Sequence, residues 1–307
     1  MTEPDNDAFT SPNKLPDQVF HYTSIDTMMK IVSSRSIWCT ALPYLNDSKE
    51  RTFLFDAVKQ RLPFLKQQDS SIPPELGLQS LEAEDVTNLT SFADEAFVAC
   101  FAEKSDSLMH WRAYCPQQNG VAIGFRSACL DEAQIAEKPE AGMVVPRVLF
   151  ARVGYLNTED PAVIDAVIRT AYYVAKKEVD KGHSWGDLND HFRWTLDTMA
   201  CLSKEKAFEV EDELRLLLPY VRYRENNIQF RTVRSTLIPY VEMAVHNHSA
   251  TGVVFDFDKK LTWNAIQSVV IGPTANMELT RRSIEAFFAL RRMEVEVLES
   301  KVPYRDW

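Results

Sequence analysis

Two periods run through the apolar positions of this chain, and each marks an element type. In residues 25–33, Ile25, Met28, Met29 and Val32 share one helical face behind Ser24, a good N-cap. Shorter apolar runs flank that helix, and Val19–Thr23 and Ile37–Thr40 read as strands. Asp47 or Ser48 caps a second helix with Phe53, Leu54, Ala57 and Val58 inward. Strands are expected at Ala96–Phe101, Gly120–Phe125 and Val144–Val153, and a short helix at Ser107–Tyr114. Two long helical periods follow, Pro161–Lys181 and Trp185–Ser203; the second places Trp185, Leu188, Phe192, Leu196 and Met199 at helical spacing. The last third reads as strands Leu214–Leu218, Ile228–Phe230, Leu237–Val241 and Ser268–Ile271, helix Met277–Arg291 and a closing strand Glu294–Leu298.

Some strands are adjacent and others are separated by helices, without a regular βαβ repeat. That predicts an α+β fold rather than a doubly wound sheet. Residues 1–14 are polar and aperiodic, so they read as a disordered tail ahead of a single domain over 15–307. The polar stretch 65–92, with Pro73-Pro74, and the helical pair 161–203 read as insertions.

Composition narrows the function. The chain has 307 residues, 45% hydrophobic and 25% charged, a globular balance. Its 34 basic and 44 acidic residues leave a net charge of −10, which repels phosphate backbones and argues against broad non-specific nucleic-acid binding. No apolar run approaches membrane-spanning length, and the first residues lack a signal-peptide pattern, so a cytoplasmic location is expected. Five widely spaced cysteines form no CxxC pair, so neither a zinc site nor a disulfide framework is predicted.

The motifs of P-loop, dinucleotide-binding Rossmann, zincin and α/β-hydrolase proteins are absent. Four clusters remain. His21-Tyr22-Thr23 places an imidazole, a phenol and a hydroxyl before a helix, with Tyr44 and Asn46 returning later. The bland alternative for His21 is a strand-end histidine satisfied by a carbonyl. Trp111, Arg112 and Tyr114 combine aromatic rings with a guanidinium, which suits stacking on a base or pairing with phosphate, while Trp111 reads equally as a core anchor. Glu211 and Glu213 precede an apolar strand and share a face with Arg215; such carboxylates stabilise a cationic transition state, or form a solvated acidic turn. Ile271-Gly272-Pro273-Thr274 and Ser300–Arg305 read as architectural.

In this order the clusters resemble a bacterial family known as domain of unknown function 2971. The matching stretches are His21–Ser24, Leu45–Asp47, Cys100-Phe101, Asp106–Leu108 with Trp111, Gly120-Val121, Glu211–Arg215, Ile271–Pro273 and Ser300–Arg305. A further likeness is to ADP-ribosyltransferases. It implies a split, mostly antiparallel sheet and NAD as substrate, with His21 on the ribose and Tyr22 and Thr23 by the nicotinamide amide. It also implies Glu213 as catalytic glutamate with Glu211 as second carboxylate, and an unknown macromolecular target in a toxin or anti-phage setting. Tyr44, Trp111 and Tyr114 stand for the second ring of that pattern; its first-strand arginine is missing. The rival expectations are a non-catalytic nucleotide-binding module and an interaction scaffold built on Tyr172, Tyr173, Trp185, Phe192 and Trp194.

Overall fold

The computed structural model describes residues 15–45, 52–77, 96–115, 120–135, 148–182, 187–219, 228–233, 235–249, 252–254 and 261–303. The expected tail, the Asp47 or Ser48 cap, Asn46, Trp185 and most of the 65–92 stretch lie outside them. Strands and helices alternate irregularly, and the class is α+β. Among the described residues no helix is long and apolar enough to cross a membrane.

In chain order the elements are β1 (Gln18–Ser24), α1 (Ile25–Ser34), β2 (Ser36–Ala41), α2 (Thr52–Gln68), β3 (Phe97–Ala102), α3 (Leu108–Tyr114), β4 (Gly120–Arg126), α4 (Ser127–Asp131), β5 (Gln134–Ile135), β6 (Leu149–Arg152) and β7 (Gly154–Leu156). They continue with α5 (Pro161–Asp180), α6 (Leu188–Cys201), β8 (Ser203–Glu205), β9 (Glu213–Leu218), β10 (Ile228–Val233), β11 (Thr236–Ala244), β12 (Asn247–Ser249), β13 (Gly252–Val254), β14 (Ile266–Ile271), α7 (Met277–Ala289) and β15 (Glu296–Glu299).

These elements fall into two compact units. One comprises the described residues within 42–95 and 153–210. In it α2, α5 and α6 bury Phe53, Leu54, Val58, Leu62, Ile164, Ile168, Phe192 and Leu196 against one another. Their ends are set by local chemistry. Asp160 accepts from Ala162 N before Pro161 opens α5, and a reciprocal Asp187/Asp190 capping box opens α6. Arg61 grips both oxygens of Asp165, at 2.6 and 2.8 Å, tying α2 to α5. Phe192 is fully buried, while Tyr173 and Trp194 stay exposed, so the expected partner-facing aromatics divide between core and surface.

The other unit comprises residues 14–41, 96–152 and 211–307. Its 11-stranded sheet runs β10-β11-β2-β3-β1-β4-β14-β15, with β9 on β3, β6 on β9 and β5 on β11. Every pairing in it is antiparallel except β14 with β15. The centre is β4, whose first six residues are all buried, which explains its unbroken apolar sequence. Between β1 and β2, Ser24 caps α1 as expected, and Arg35 ends it at φ 57 with its N–H on Ile31 O.

The sheet divides at β3. Along one edge β9 pairs with all six β3 residues. The other edge is shared, with β1 meeting it at Phe20↔Ala102 and β2 at Thr40↔Val98 and Ala41↔Phe97. Extending either ladder would bring both Tyr22 and Trp38 beside Cys100, so the two strands part there.

Candidate functional site

Residues paired across an antiparallel ladder share a face, and neighbours along a strand alternate. Phe20, Ala102 and Glu213 stand in one row. Tyr22, Glu213 and Arg215 therefore share a face, and His21, Phe101 and Leu214 belong to the other. The expected meeting of His21 with Glu213 over one hollow is corrected by this register, and Glu211, the second expected carboxylate, ends a 3-10 turn before β9 and is outside the ladder. An odd number of steps separates His21 from the Glu213 row, and one step in a strand turns a side chain over.

His21 instead serves the opening at β3. Its Nδ1 donates to Cys100 O at 2.9 Å, and its ring lies 5.6 Å from that of Phe101. Burial pushes its pKa below the ordinary value, with the nearby Arg231 charge acting the same way against the bond to Cys100.

On the opposite face, Glu213 is 6% exposed and Arg215 not at all. The Arg215 Nε–Glu213 Oε1 distance is 2.8 Å and Nη2–Oε2 is 3.4 Å, so this carboxylate is committed to a guanidinium. His110 lies near it, also buried, with its ring stacked on Tyr22 at 4.8 Å and facing Tyr114 at 6.0 Å. Tyr114 is exposed, so three rings step from core to surface. Burial lowers the His110 pKa, Lys104 adds to this, and a bond to the Glu211 backbone with the Glu213 and Asp212 charges opposes it.

Tyr22 Oη donates to Lys104 O at 2.7 Å and accepts from Ser107 N at 3.1 Å. Trp111 meets Tyr22 edge-on at 4.7 Å and donates Nε1 to Asp106 Oδ1 at 2.7 Å. Asp106 also accepts from Ser300 Oγ (2.6 Å) and Lys301 N (2.7 Å). At Gly272 a Cβ would come within 2.9 Å of the Trp111 ring, so only glycine fits. Five of the stretches that carry the family resemblance thus supply Tyr22, Asp106 with Trp111, Gly120, Gly272 and Ser300 to one closed polar knot. Of the expected ligand residues, Tyr22 and Trp111 are buried in it, Tyr114 caps it and Arg112 is exposed. Thr23 lies on the His21 face, and Tyr44 belongs to the helical unit.

The face beside the opening carries a group that the sequence reading did not assemble. Arg231 on β10 reaches across β11 to donate Nη2 to Thr40 Oγ1 at 2.9 Å, and its guanidinium sits 5.7 Å from the Trp38 ring. Trp38 stacks on Tyr240 at 4.3 Å, and Tyr240 Oη donates to Gln229 at 2.8 Å. Glu242 pairs with Trp38 in register and accepts from Ser36 Oγ. Among the described residues Arg231 makes no ion pair, and its buried Nε has no hydrogen-bond partner. Burial lowers its pKa, and nearby Tyr240 opposes that. The available signal was polar alternation: Ser36, Trp38 and Thr40 on β2, and Gln229 and Arg231 on β10.

His21 and His110, both held out of water, set an acid limit. Both pKa values are lowered in the fold from 6.5, so the native state favours the neutral ring. Their stabilising effect is complete above pH 6.5 and is lost as pH falls through the lower folded values. Urea midpoints are expected to drop from about pH 7.5 to about pH 5.5, and to drop less for His110→Gln, which removes one titrating ring.

The fold and its knot thus define an α+β protein organised around a divided sheet. Residues 110–216 match the family model described as Protein of unknown function (DUF2971). The match runs from His110 into β9, includes the Glu213–Arg215 pair, and agrees with the family resemblance of the sequence motifs. No curated protein and no solved structure matches the chain.

Proposed function

We propose that the chain binds a nucleotide-like ligand where β1 and β2 part, with an anionic group on Arg231 and a planar ring against Trp38 and Tyr240. The observation that carries this is Arg231. A part-buried guanidinium with an unpartnered Nε and no carboxylate is costly, and a phosphate offers it bidentate acceptors. The stacked Trp38–Tyr240 pair beside it supplies aromatic surface for a base.

NAD and ADP-ribose are the test ligands. Isothermal titration is expected to give saturable binding of at least one, weakened about tenfold or more by Arg231→Ala and less by Trp38→Leu. No saturable heat from NAD, ADP-ribose or simple nucleotides removes the reading.

ADP-ribosyl transfer from NAD is the second reading, favoured by Glu242 on the same face as Trp38 and Tyr240. In it the bond from ribose C1′ to the nicotinamide nitrogen breaks, and its electron pair leaves with nicotinamide. A nucleophile on a macromolecule, or water, bonds to C1′ and yields its proton to Glu242. Nicotinamide release that survives Glu242→Gln excludes this role.

A further inference from the structure

Where β1 begins and β4 ends, two hollows of about 660 and 490 Å³ adjoin, and both are lined by Arg126 and Gln267. Each shared residue is placed there by the backbone. Ile266 pairs with Phe125 but Ser268 pairs with Gly124, so Gln267 is the extra residue of a bulge. Bulges re-aim a side chain out of the ladder.

Arg126 closes β4, with its N–H on Ala265 O at 2.8 Å and its Nε on Asn264 O at 3.0 Å. Asn264 is itself clamped, receiving His248 N on Oδ1 and donating Nδ2 to His248 O, while its N–H meets Asn247 Oδ1. The guanidinium is therefore aimed by a fixed loop. Asp131, Glu294 and Glu296 line the two hollows, yet among the described residues Arg126 makes no ion pair.

Two further groups answer the same need. Arg292 lines the larger hollow from the turn after α7, at φ 57, with its N–H on Ala289 O. His248, in the smaller hollow, keeps a buried Nδ1 without a hydrogen-bond partner.

The lining also says what the ligand is not. Trp263 is 3% exposed and its Nε1 is committed to Val245 O, so no aromatic platform awaits a base. The remaining walls are Gln18, Gln267, Ser268, Glu294 and Glu296, amide, hydroxyl and carboxylate groups that suit sugar hydroxyls. We propose that this groove binds a small phosphorylated polyol, with its phosphate held by Arg126 and Arg292 and its hydroxyls turned to the glutamates and Gln267. It is a different site from the one at Arg231 and takes a different ligand.

The test is isothermal titration of the whole chain with glucose 6-phosphate, glucose and inorganic phosphate. The expected result is saturable binding of the sugar phosphate, weaker binding of phosphate and none of glucose. Arg292→Ala lies at an exposed turn and leaves the fold intact; it is expected to weaken the sugar phosphate about tenfold or more, as is Arg126→Ala, while Arg231→Ala leaves it unchanged. Absence of saturable binding at millimolar sugar phosphate overturns the proposal. So does unchanged affinity in Arg292→Ala, or loss of binding in Arg231→Ala.

Discussion

Glu213→Ala is expected to destabilise the protein by about 3–5 kcal/mol, because it takes a buried carboxylate from the Arg215 guanidinium, which has no solvent access to replace it. The direct attraction is the smaller part of that loss. Two desolvated charges nearly offset their own burial cost; one left alone does not. Replacing both, as Glu213→Leu with Arg215→Met, is therefore expected to cost less than Glu213→Ala alone. Guanidinium melts of the wild type and the two variants give the ordering, and a double variant weaker than the single would sink the argument. The result also governs how enzyme assays are read. Activity lost in Glu213→Gln reports a damaged fold unless the variant is shown to be native.

Trp111→Ala is the second large effect, about 3–5 kcal/mol. The indole is 1% exposed, braced by Tyr22 and pressed against Gly272, so its removal leaves a cavity with little room to collapse. It also takes one of three donors from Asp106. Trp111→Phe refills much of the volume but not the Nε1 donor, so it is expected to lose about 1–3 kcal/mol. A thermal or denaturant melt separates them, and equal losses would mean that the hydrogen bond, not the packing, dominates.

Most elements were legible because their periods are strong. Helix α1 with its Ser24 cap, α5 with Pro161 at its start, and α7 from Met277 match the expected segments to within a residue or two. The strand expected at 144–153 holds β6 (Leu149–Arg152) in its described part, and β7, starting just beyond it at Gly154, was not foreseen. Apolar runs do not mark where a chain changes sheets. Strand β11 extends to Ala244, past the apolar Val241, because β2 supplies partners as far as Ser36.

The site was legible in its parts and not in its pairing. His21 and Glu213 are both polar groups on strands, and their sequence positions carry no parity between strands; only the β1–β3–β9 register does. Nothing in its neighbourhood along the chain singles out Arg231, since its meaning comes from Thr40 and Trp38 on a strand nearly two hundred residues away. Five of the resemblance stretches meet around Asp106 and Trp111, as a buried scaffold and not as the pocket expected between His21 and the glutamates.

The hydrogen bond from His21 to Cys100 carries one more implication. The imidazole acts as a plug in a seam between two diverging ladders, and its departure would cost the Cys100 carbonyl this donor. A ligand bound at the parting, as proposed above, would have to bring its own N–H or O–H to replace it without penalty. By that criterion a carboxamide or amino edge would suit the seam better than a pure acceptor.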